Sequence, residues 1–110
     1  MNAEQRVCEL VTTAPDADWA EKLTRDLIER NLVACGHQFQ IHATYTWQGK
    51  TEANPETRVA FHTRIDLVDE ITAIVVGAHP YEVPCVIALP IISASPSYAD
   101  WIIATTTSPS

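Results

Sequence analysis

Four histidines, three cysteines and fourteen acidic residues are the side chains with which this chain could coordinate an ion or move a proton. The densest grouping is His79-Pro80-Tyr81-Glu82-Val83-Pro84, an imidazole and a carboxylate held between two prolines. Both groups ligate borderline divalent cations, although two ligands alone do not fix a site. A structural account stands beside the chemical one. Each proline drives its predecessor, His79 or Val83, out of the helical region and removes a backbone donor, which makes the segment a rigid helix-to-strand connection.

His42 and His62 form a second candidate. Both fall on the polar parity of an expected hairpin, and a turn centred near residue 52 sets them opposite each other, with Cβ atoms about 5 Å apart. Such a pair either shares a divalent ion or, more commonly, serves as hydrogen-bonded sheet-face histidines. His37 and His42 differ by an odd number of positions and face opposite sides of one strand. Cys8, Cys35 and Cys85 make no CxxC pattern. No phosphate-cradling glycine pattern occurs, and the serines cluster late in the chain without a nearby histidine and acid. No nucleophile, base and orienting group assemble, so no catalytic residue is assigned and an enzyme is not expected.

The elements that must position these residues follow from periodicity. "RVCELVTT" (6–13) reads as a strand. Pro15 and the acids Asp16 and Asp18 then announce a helix with Asp18 and Glu21 as a capping box, apolar positions Ala20, Leu23, Leu27, Ile28 and Ala34, and Gly36 as its stop. From Phe39 the period changes to two: Phe39, Ile41, Ala43, Tyr45 and Trp47 share one face. "QGKTEANPE" is expected to turn, with alternation resuming at Val59 and Phe61. "RIDLVDEITAIVVGA" returns to helical spacing, with Asp66 as cap, Leu67, Ile71, Ile74, Val75 and Ala78 as buried stripe, and Gly77 near its end. "CVIALPII" has strand length. Ser95 and Pro96 open a last helix carrying Tyr98, Trp101 and Ile102 on one side, and residues 105–110 read as a frayed tail.

The order β-α-β-β-α-β plus a C-terminal helix is an α+β fold, a ferredoxin-like split βαβ sandwich in one domain spanning 1–110. Two helices cover one sheet face and leave the other bare, so a homo-oligomer is expected. At 46% apolar and 19% charged residues the composition is globular. A net charge of −7, with seven scattered basic residues, argues against a phosphate backbone as ligand, and no nucleic-acid partner is expected. No apolar run reaches membrane-spanning length and the N-terminus lacks a signal-peptide core, so the expectation is a cytoplasmic protein with no membrane partner.

"HPYEVPCVIALPI", "WQGK", "LVACG", "TAPD" and "SPSYADW" together resemble the CutA divalent-cation tolerance family over residues 7 to about 104. The resemblance implies a tight homotrimer with sheets packed inward and hairpins reaching a neighbour, an architecture similar to the PII signalling proteins with clefts between subunits. It also implies a link to copper and other divalent cations. The family's cleft-lining pattern falls on Cys35, Trp47, Lys50, His79, Tyr81, Glu82 and Trp101. Three departures stand out. The loop after Cys35 is about one residue shorter and lacks a Pro-Gly segment, His62 stands where a lysine is frequent, and the family's proposed copper ligands beside His79 fall on Thr12 and Ala78. High-affinity copper binding by that route is not expected.

Three functional expectations result. The first is a divalent metal tolerance protein holding an ion at His79, Glu82 and Cys35, from one chain or two, with no required cofactor and weak binding of Cu(II) or another divalent cation. The second is a PII-like module with a small anionic ligand against Trp47, Lys50, Tyr81 and Trp101. The third is a stable trimeric platform for partner proteins.

Overall fold

The computed structural model describes residues 6–107. Strands β1 (Val7–Ala14), β2 (Cys35–Trp47), β3 (Lys50–Arg64) and β4 (Val86–Pro90) alternate with helices α1 (Ala17–Glu29) and α2 (Val68–Ala78), and α3 (Pro96–Thr105) follows. The sheet order is β2-β3-β1-β4, and every neighbouring pair is antiparallel. Each crossover helix therefore returns the chain one strand beyond its nearest neighbour, leaving room for the strand of the other unit.

One sheet face meets α1 and α2. Leu10, Ala14, Val59 and Phe61 pack there with Ala20, Leu23 and Leu27 of α1 and Ile71 and Val75 of α2, all buried. Residues of opposite parity point to the other face, where α3 covers one end by packing Ala99 and Ile102 on Val7 and Ala34. Beyond α3 this face is open. Phe39, Tyr45, Trp47, Ile87 and Leu89 remain 37–50% exposed on it.

Several local expectations are corrected. The N-cap of α1 is Asp16, not Asp18: its extended backbone lets Oδ1 accept from the Trp19 N–H at 2.8 Å. The helix stops at Glu29, and Asn31 (φ 59°) takes the left-handed position that ends it. Gly36 lies instead in β2. A Cβ there would sit 2.7 Å from Thr24 Cγ2, so glycine permits α1 to approach the sheet. Asp66 does not cap α2; it accepts two 2.9 Å bonds from Arg64, which hold its carboxyl below the usual range. Gly77 lies within α2, Ala78 is exposed, and Pro80 sets the helix end by keeping His79 extended. At the C-terminus α3 runs to Thr105, and the Thr107 N–H donates to Asn31 O, so 105–107 are tied down; 108–110 lie outside the described residues.

The hairpin differs most. Gln48 and Gly49, at φ 51° and 78°, form a two-residue turn that pairs Trp47 with Lys50. Residues 50–56 are strand, and Pro55 is accommodated because β1 ends opposite Thr57, leaving that stretch of β3 without a second neighbour.

Candidate functional site

The two-residue turn sets the register that decides which side chains meet. Cys35 lies opposite His62 and His42 opposite Pro55. The expected His42–His62 pair does not form, because the turn lies at 48–49 and not near 52. Cys35 and His37, two positions apart on β2, share a face with His62. Cys35 Sγ lies 3.9 Å from His37 Nε2, and ligand atoms of Cys35, His37 and His62 all fall within 4.8 Å of one another. Glu9, opposite His62 on β1, accepts from His62 Nε2 at 2.9 Å. The Tyr98 hydroxyl from α3 reaches both His62 Nδ1 (2.5 Å) and Cys35 Sγ (3.4 Å), and its ring meets Trp101 at 5.5 Å.

Cys35 and His62 shift each other's proton affinity in opposite directions. Burial pushes the Cys35 thiol up, but hydrogen bonding toward His62 and Tyr98 and the His62 charge outweigh it, and the net shift is downward. His62 shifts upward, chiefly through hydrogen bonding to the Cys35 sulfur; burial opposes this and Glu9 reinforces it. The Tyr98 phenol is raised by burial and by Cys35. Cys8, by contrast, is buried and pushed up to about 11. Sulfur, imidazole and carboxylate thus do come together, an assembly that the sequence reading did not anticipate.

His79 lies elsewhere. Its Nε2–H donates to Thr13 O at 2.8 Å, and its Nδ1 accepts from the Tyr81 N–H at 3.1 Å. Trp19 and Tyr81 flank the ring at centroid distances of 4.8 and 4.6 Å. Both nitrogens are spent on backbone, so the imidazole pins the HPYEVP segment to the end of β1. The Thr13 row of the sheet is four residues from the Glu9–His62–Cys35 row, roughly 13 Å along a strand. Within one chain, Cys35 therefore does not join His79 and Glu82.

Beside the HPYEVP segment, on the open sheet face, lies a cavity of about 720 Å³ lined by Tyr45, Trp47, Glu56, Tyr81, Glu82 and neighbours. Burial raises the Tyr81 phenol. Of the expected ligand cleft, Trp47 and Tyr81 share this groove. Lys50 is at the hairpin turn outside its lining, and Trp101 stands on α3 beside Tyr98.

The profile of a family described as CutA1 divalent ion tolerance protein matches residues 8–105. The chain belongs to that family. The divalent-cation tolerance protein CutA of Pyrococcus horikoshii is 35% identical over 92 residues, 84% of this chain and 90% of the relative. The CutA homolog of Xenopus laevis is 40% identical over 91 residues, 82% of this chain but 60% of the relative, and this chain spans about half (51%) of the mouse protein CutA. Among solved structures, rice CutA1 superposes with a TM-score of 0.90 at 30% identity, covering 96% of this chain and 98% of that one. The Archaeoglobus fulgidus protein, described as periplasmic, gives 0.88 at 33% identity, covering 90% and 97%.

Family membership raises the question of where this CutA1 chain could hold an ion. The HPYEVP end fits poorly. Both His79 nitrogens are already engaged with backbone groups, and Ala78 beside it in the chain brings no donor. Thr12 Oγ1 is buried without a hydrogen-bond partner.

Proposed function

We propose that this chain is the ferredoxin-like subunit of a homotrimeric divalent-cation tolerance protein of the CutA type, acting in the cytoplasm by binding rather than by catalysis. The observation that carries the assembly is the open sheet face. Phe39, Tyr45, Trp47, Ile87 and Leu89 form an apolar surface on it that other copies of the chain would cover. The residues 50–56 of β3 add an unpaired strand edge suited to a neighbour. Sedimentation of the purified protein tests this: a three-subunit mass supports it, and a monomer at micromolar concentration overturns it. Tolerance is tested by comparing growth of a deletion strain with that of its complement under graded copper and zinc. Equal growth would end that reading.

A second reading is a small-ligand module in the PII manner. It is favoured by the groove beside Trp47, Tyr81 and Glu82, which is of small-molecule size. With Glu56 and Glu82 in its lining and Lys50 outside it, the groove of a single subunit offers little to an anion. An anionic ligand would require basic residues from a neighbouring copy. Calorimetry with a nucleotide panel separates this reading from the first.

A further inference from the structure

We propose that Cys35, His37 and His62 form a binding site for a divalent ion of borderline softness, zinc or copper(II), with Glu9 orienting His62 from behind. The donor set is of the right kind: one sulfur and two imidazoles match the three-ligand sites in which zinc keeps a fourth, open position, and they also suit copper. Among the described residues, no other three histidine, cysteine or acidic side chains bring their ligand atoms this close.

The geometry is near what an ion requires. With Zn–S about 2.3 Å and Zn–N about 2.0 Å, donors around a tetrahedral zinc stand roughly 3.3–3.6 Å apart. Cys35 Sγ and His37 Nε2 are 3.9 Å apart, and no pair in the trio exceeds 4.8 Å. The remaining contraction is within reach of a side-chain adjustment by His37, which is exposed in the single subunit and meets only the His62 ring edge-on at 4.9 Å and the Cys35 sulfur at 3.9 Å. The two partners that must stay in place are better held, Cys35 by the sheet and His62 between Glu9 and Tyr98.

The surroundings favour the same use. Glu9 takes the Nε2–H of His62, which fixes the tautomer whose Nδ1 lone pair faces the cluster. This carboxylate–histidine arrangement accompanies metal-bound imidazoles generally. The Tyr98 hydroxyl touches both Sγ and Nδ1, so an arriving ion exchanges that hydrogen bond for two coordinate bonds. Cys35 binds as the thiolate and its proton goes to solvent. All three ligands belong to one subunit, so the site needs no neighbour.

This assignment gives the tolerance reading its ion site and rests on that reading only for its purpose. The test uses the whole demetallated protein, titrated with zinc in competition with a chromophoric chelator, with cobalt(II) as optical probe and copper(II) as the second arm. The expected result is one ion per subunit and a sulfur-to-metal charge-transfer band that Cys35→Ser abolishes. His37→Ala, which removes no residue of the subunit core, weakens binding at least tenfold while the sedimentation mass stays that of wild type. Glu9→Gln weakens it about 10- to 100-fold, while His42→Ala and Glu82→Gln leave it unchanged. Micromolar binding without the sulfur band, affinity indifferent to both Cys35→Ser and His37→Ala, or no binding of either ion overturns the site. The growth and sedimentation assays read the tolerance and trimer claims separately. Tight cysteine-dependent binding in a protein whose deletion leaves growth unaffected sinks tolerance and leaves the site standing.

Discussion

His62 is surrounded by titratable groups from three other elements: Glu9 on β1, Cys35 and His37 on β2, and Tyr98 on α3. In the metal-free protein its folded pKa lies above 6.5. A raised histidine pKa contributes stability that is complete below the unfolded value and is lost as pH rises through the folded one. The stability that His62 draws from Cys35 and, behind it, from Glu9 should therefore fall as pH rises from 6.5 through that higher value, and ring-proton NMR should give a midpoint above 6.5; a lower midpoint refutes this account. Cys35 should be alkylated at lower pH than Cys8, whose thiol burial pushes up to about 11. For His79 the expectation is structural. His79→Ala leaves Thr13 O and the Tyr81 N–H without their partner, at a cost of about 2–4 kcal/mol, and should leave zinc affinity untouched. A urea midpoint equal to wild type would contradict this. His79 was visible in the sequence as a proline-bracketed oddity. Its anchoring role was not, because the carbonyl it holds lies 66 residues away.

At the scale of elements, every strand and helix was legible in order, since apolar period two gives way to helical spacing and back. The candidate site was missed through one turn. The whole stretch QGKTEANPE (48–56) reads as one turn centred near residue 52, whereas the Gln48-Gly49 pair alone is what a tight antiparallel turn needs. Reading that pair first sets Trp47 opposite Lys50, and counting outward brings His62 to Cys35 and, by parity, to His37. Gly36 illustrates a related ambiguity: glycine after a helical run suggests a stop, but here it admits Thr24 of α1 against β2. Gly36→Ala should cost about 1–3 kcal/mol through overpacking. Thr24→Ala should recover much of that loss, and the coupling in a double-mutant cycle measures it. Additive losses would mean that the strand, not Thr24, rejects the methyl group.

The described residues span 45 × 25 × 21 Å along their principal axes, long for a chain whose core lies between one sheet and two helices. The long dimension reflects the hairpin, which continues past the end of β1 as a two-stranded ribbon. Such ribbons are marginal alone, and this one presents Tyr45 and Trp47 to the open face. The bare face could be inferred from the sequence because only two helices were available to cover one side of four strands. That α3 would close one end of the open face could not, since its contacts with Val7 and Ala34 depend on how the chain turns after β4. If the ribbon and face are ordered by neighbouring copies, a charge within the apolar surface should dissociate the assembly while sparing the subunit core. Leu89→Asp, partly exposed on β4 opposite Glu9, should reduce the trimer to monomers in sedimentation and retain the far-ultraviolet signature of the folded chain. Lys50→Ala at the turn should leave the mass unchanged. A Leu89→Asp protein that remains trimeric would place the interface elsewhere. One that unfolds outright would show that the subunit depends on its neighbours for stability, and Phe39→Asp on the far side of the same face would then give the same loss.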